Sequence, residues 1–113
     1  MFNKIRVNII AGRLLEDFNT LKSQNQSNPT VVYMSLLFTL KPHGPFKDFT
    51  GEDATYVVKE LEKLNNLETG FRLLCLLVAK AIELNITDKE TAKKLIKEAI
   101  DEYFLHQSEG ISS

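Results

Sequence analysis

A chain of 113 residues, 43% hydrophobic and 26% charged, has the size and balance of one globular domain, which excludes two independently folding units. Fourteen Lys and Arg against fifteen Asp and Glu give a formal charge of −1, so no net field draws the chain to nucleic acid or to an anionic membrane. The one cysteine, Cys75, excludes an internal disulfide and favours a reducing, cytoplasmic setting, while the longest apolar run, Leu73 to Ala79, is far short of the ~20 residues a membrane span needs.

The first residues carry two periods. Ile5, Val7 and Ile9 alternate with Arg6 and Asn8 as in a half-buried strand, whereas Val7, Ile10, Ala11, Leu14, Phe18 and Leu21 keep helical spacing over a longer window. Length favours a helix, with Gly12 counting against it at ~1 kcal/mol. A strand over residues 4–10 would have only Val31 to Phe38 as a partner, and a two-stranded parallel sheet is a poor structure. The α+β arrangement with a short N-terminal strand is therefore the alternative to an all-α fold. After the polar stretch Ser23 to Asn28, Asn28 is an N-cap with Pro29 at the first helical position. Val31 to Leu40 follow as a buried helix, although Val31, Val32 and Tyr33 also suit a strand.

The connection Lys41-Pro42-His43-Gly44-Pro45-Phe46-Lys47-Asp48-Phe49 is the least ordinary stretch. Two prolines stiffen it and remove backbone donors, and two phenylalanines stand in an otherwise polar loop. Phe46 and Phe49 either fold back as lids on the core or, with Lys41, His43 and Lys47, present an anchor to a partner protein. These five residues are the candidate binding loop.

Thr50 before Gly51, Glu52 and Asp53 is an N-cap with acidic residues in the first turn. Ala54, Val57, Val58, Leu61 and Leu64 then predict a helix from Gly51 to about Leu64, closed by Asn65 and Asn66. Leu67 to Leu84 is apolar nearly all round, which places it at the centre of the bundle or makes it a self-association face. Asn85 is its stop. Cys75, between Leu74 and Leu76, is expected to be buried and inert. Thr87 and Glu90 form a capping-box pattern for a last helix, Asp88 to about Leu105. That helix carries Ala92, Leu95, Ile96, Ala99, Ile100, Tyr103 and Phe104 as one stripe, with Lys94–Glu98 and Lys97–Asp101 as opposite-charge pairs outside. The pattern predicts an all-α single-domain bundle of about five helices over residues 1–106, roughly three-quarters helical, with 107–113 as a tail.

Chemistry is sparse. His43 and His106 stand apart, no zinc or calcium spacing exists, and the five glycines are scattered singly, so no metal or cofactor is expected. Glu16/Asp17, Glu52/Asp53 and Asp101/Glu102 are sequence neighbours whose side chains diverge on a helix, unlike an acid–base pair. No catalytic residue is assigned. Leu67 to Leu84, the turn at Asn85 to Thr87 and the last helix have the lengths of a helix-turn-helix, but Asp88, Lys89, Glu90 and Thr91 stand where base-reading residues belong. Asn28-Pro29 and Tyr56-Val57 loosely resemble short motifs of the Rubisco assembly chaperones over residues 28 to 80. The tyrosine- and glutamine-bearing peptide groove of that family has no counterpart here, and no site is carried over. The expectation is a small, non-enzymatic intracellular protein working by protein–protein contact as a regulator, adaptor, inhibitor or assembly factor. A homodimer is expected, and a helix-turn-helix DNA-binding regulator is the alternative.

Overall fold

Asparagine and aspartate punctuate the chain. Asn25, Asn65 and Asn85 all have positive φ, between 52° and 57°, the left-handed conformation that asparagine tolerates just past a helix end. At two of these ends the next amide closes the helix with a long return bond: Gln26 donates to the Leu21 carbonyl at 2.9 Å and Ile86 to that of Ala81 at 2.8 Å. Side chains then start the following helix. Asn28 accepts from the Thr30 and Val31 amides, and Asn66 accepts from Thr69.

In the computed structural model, residues 2–112 are described, with side chains for 3–107. Five α-helices result: α1 Phe2–Ser23, α2 Pro29–Leu40, α3 Gly51–Glu62, α4 Leu67–Glu83 and α5 Lys89–Ser112, with a 3-10 turn at Gly44–Asp48. The structure is 82% helical and holds no strand among the described residues, so the all-α expectation stands and the N-terminal strand does not. Ile5 and Ile9, which suggested it, are half exposed on α1, whereas Ile10, Leu14 and Phe18 are buried. Among the described residues no helix is long and apolar enough to cross a membrane.

The helices form a closed circuit. α1 packs between α2 and α4, α2 against α3, α3 against α5, and α5 back against α4, while the 3-10 turn rests on α2, α4 and α5. Each helix turns one stripe inward: Leu14 from α1, Leu36 and Leu40 from α2, Val57 and Leu61 from α3, Leu74 from α4 and Ile100 from α5 are at most 1% exposed. Side-chain bridges pin several seams. The Phe18 and Phe71 rings stack at 4.5 Å between α1 and α4. Asp17 accepts from Ser35 and Thr39 between α1 and α2, and Thr30 donates to Glu62 between α2 and α3.

Of the two expected places of α4, this circuit removes the centre of the bundle. The helix lies on the perimeter with an outer face, so Leu76 is 63% exposed, and Cys75 is half-buried rather than buried. Burial still pushes the Cys75 thiol pKa up. Two further corrections concern α5. Its cap is Asp88, which accepts from the Thr91 amide at 2.9 Å and hydroxyl at 2.6 Å, because a carboxylate outcompetes the Thr87 hydroxyl for the same donors. The helix also continues past Leu105, so residues 107–112, expected as a tail, extend α5; one glycine, Gly110, costs a helix only ~1 kcal/mol and does not stop it. Ser113 lies outside the described residues. Of the two expected surface pairs, Lys97–Asp101 forms at 2.9 Å, and Lys94–Glu98 does not form among the described residues.

The α3–α5 seam is held by Asp53, 5% exposed. Its Oδ2 accepts from the Thr50 amide at 2.8 Å and hydroxyl at 3.0 Å and from Lys89 Nζ at 2.9 Å, and its Oδ1 accepts from Lys93 Nζ at 2.9 Å. The Thr50 amide, then Lys93 and Lys89, hold the carboxyl well below the usual carboxylate range. A depressed folded-state pKa contributes stability that is complete above the unfolded value, ~3.9, and is lost as pH falls through the folded one. Asp53→Asn is therefore expected to lower the thermal midpoint at pH 7. The gap from wild type should narrow steadily as the pH is lowered from 5 to 2, as read by circular dichroism melts. A gap independent of pH would remove the ionised carboxylate as the cause.

Candidate functional site

The loop singled out in the sequence is folded tightly onto the bundle. Gly44, the first residue of the 3-10 turn, takes a φ of 51°, a conformation that a side chain would strain, and Pro45 follows it. The His43 amide donates to Leu40 O at 2.9 Å, Phe46 to His43 O at 3.1 Å and Phe49 to Phe46 O at 3.2 Å. Lys41 Nζ closes the loop on Phe49 O at 3.1 Å. Phe46 is 3% exposed and Phe49 packs against the core, their rings 5.3 Å apart. Of the two expected roles, both phenylalanines take that of lid. Phe46 presents no anchor, because the turn directs its ring inward.

The same loop brings three of its five candidates to one cavity. His43, Phe46 and Lys47 line a space of about 180 Å³ with residues of α1, the end of α4 and the approach to α5. Lys41 and Phe49 do not take part. Ile10, Val78 and Ile82 add apolar wall, and Arg6 from α1 adds a cation. His43 Nε2 is buried without a hydrogen-bond partner among the described residues. Burial first, then the charges of Arg13, Arg6 and Lys47, lower the His43 pKa and favour the neutral imidazole. In the sequence Arg6 is only a polar position between Ile5 and Val7. Nothing in its spacing pairs it with His43, which lies 37 positions on.

A second concavity runs along the outer seam of α4 and α5, about 600 Å³ in volume and open along its length. Leu73, Leu76 and Leu77 of α4 face Leu95, Ala99 and Tyr103 of α5. Charge on its edges is mostly negative, with Glu83, Glu98 and Glu102 against Lys80, and Glu102 lies 3.6 Å from His106. Glu83 and Glu98 have no cationic partner within 4.0 Å among the described residues. The apolar surplus of Leu67 to Leu84 is plain in the sequence; that it forms one wall of a groove follows only from the position of α5.

At the start of α5, where a helix-turn-helix would read bases, Lys89 and Lys93 are both held by Asp53, and Asp88 and Glu90 are exposed. Among the described residues no three His, Cys, Asp or Glu side chains are grouped to hold a metal ion. The chain matches no family model, no curated protein and no solved structure.

Proposed function

We propose that this is a non-enzymatic intracellular protein that works by protein–protein contact, with the α4–α5 groove receiving an amphipathic helix with basic flanks from another protein. The observation that carries this reading is the pairing of an apolar floor, in which Leu76 is 63% exposed, with the carboxylates of Glu83 and Glu98 on the rim. Leu73 to Glu83 advance ~15 Å along α4, which suits about three turns of a docked helix lying in the groove. Apolar contact would supply affinity, and Glu83 and Glu98 would select partners with Lys or Arg beside the apolar stripe. The DNA-binding alternative has less support, since the two lysines nearest the start of α5 are already held by Asp53.

Two synthetic helical peptides test the reading, sharing one leucine stripe at positions i, i+3, i+4 and i+7 and flanked by Lys in one and Glu in the other. The Lys peptide is expected to bind about tenfold more tightly, a difference of ~1.4 kcal/mol. Glu98→Lys with Glu102→Lys should invert that preference, and Leu76→Asp should abolish binding of both. Equal affinity for the two peptides, or binding indifferent to all three substitutions, would refute the groove. Light scattering supplies the remaining outcome: a dimer that Leu76→Asp converts to monomer names a second copy as the occupant, in place of a foreign helix. The exposed Ile5 and Ile9 with Lys4 on α1 have the chemistry for that role.

A further inference from the structure

The cavity beneath the 3-10 turn shares no lining residue with the α4–α5 groove, and its chemistry is opposite. Arg6, His43 and Lys47 bring positive or hydrogen-bonding nitrogen to it, and no acidic residue lines it. Neither Arg6 nor Lys47 forms a salt bridge among the described residues, although seven Lys or Arg ion pairs are made among them. His43 Nε2 is the one buried side-chain nitrogen or oxygen among the described residues that lacks a hydrogen-bond partner. Buried polar atoms are almost always satisfied, so an orphaned one on a residue that lines a cavity calls for a partner. A space of about 180 Å³ compares with the roughly 150 Å³ cavity that accepts benzene. Ile10, Phe46, Val78 and Ile82 give it apolar walls.

We propose that this cavity binds a small amphiphilic anion, a carboxylate carrying an apolar body about the size of a benzene ring. The apolar body rests among Ile10, Phe46, Val78 and Ile82. The carboxylate accepts a hydrogen bond from His43 Nε2–H once the imidazole ring turns toward the cavity it lines, and it is drawn by the charges of Arg6 and Lys47. A bare anion wastes the walls, and a neutral aromatic leaves the nitrogen unsatisfied and the cations uncompensated. Both parts of the ligand are required.

Benzoate, benzyl alcohol, acetate and inorganic phosphate separate these terms. The full chain is titrated with each while the His43 imidazole resonances are followed by NMR. Benzoate is expected to bind at least about tenfold more tightly than any of the other three, and to raise the pH at which His43 titrates. Arg6→Ala and Lys47→Ala, both at exposed positions, should each weaken benzoate about threefold or more without changing the affinity for benzyl alcohol. Benzyl alcohol binding as well as benzoate would reduce the cavity to an apolar void. Acetate or phosphate matching benzoate would reduce it to surface charge. Undisturbed His43 resonances at ten-millimolar benzoate would end the proposal, and none of these three comparisons depends on a variant folding.

Discussion

Truncating Phe46 to alanine is expected to destabilise the protein by about 3–5 kcal/mol, the cost of deleting a fully buried aromatic ring and leaving a cavity. Its ring is 3% exposed and sits in the central cluster, on a turn held by backbone bonds at both ends. Neighbouring side chains cannot collapse into the space easily, because Gly44, Pro45 and the Lys41–Phe49 closure fix the turn above it. Phe49→Ala removes a half-buried ring and should cost less, about 1–2 kcal/mol. Lys47→Ala, at an exposed position, should stay within about 0.5 kcal/mol of wild type. Urea unfolding with unchanged m-values checks all three. A Phe46→Ala cost below about 1 kcal/mol would mean that the turn does not cap the core.

Gly70→Ala is expected to destabilise by at least about 2 kcal/mol, where helix propensity alone would predict a gain of ~1 kcal/mol. A Cβ at position 70 would lie 2.0 Å from Tyr33 Oη, 2.6 Å from Cζ and 2.7 Å from Cε1. Tyr33 cannot step aside: it is 1% exposed, and its hydroxyl donates to Asn66 O at 3.4 Å, beside the cap of α4. Burial and the Glu62 charge push its pKa up to about 12, so it remains a donor throughout the working pH range. Gly12 is the control. Nothing lies within 4 Å of a Cβ built there, so Gly12→Ala should stabilise by about 0.5–1 kcal/mol. Tyr33→Phe in the Gly70→Ala background removes the nearest atom and should recover part of the loss, measurable as a coupling energy on the order of 0.5–3 kcal/mol. Stabilisation by Gly70→Ala would overturn the close approach of α2 and α4.

Local chemistry determined the elements. Asn28-Pro29, Thr50 with Asp53, and Asn85 define helix boundaries through hydrogen bonds spanning two to five residues, so any correct reading of those residues finds the same ends. The misplaced cap at Thr87 belongs to the same class: two adjacent oxygens competed for one set of amides, and the stronger acceptor, Asp88, took them. The apolar stripes of α3 and α5 are equally local, since each needs only a 3.6-residue period. Which face meets which neighbour is not local. The apolar surplus of α4 is compatible with a central helix or a perimeter one, and only closing the five helices into a circuit left Leu76 outside and Leu74 inside. Burial of Phe46 likewise depended on where α2, α4 and α5 leave room beneath the turn. Arg6 and His43 are far apart in sequence and carry no mutual spacing signal. Their meeting at one cavity follows from α1 packing along α4 while the turn sits on the end of α4. Short-range hydrogen bonding and periodicity therefore made the helices legible from the sequence, and long-range packing, which no window of residues contains, decided the core, the groove and the cavity.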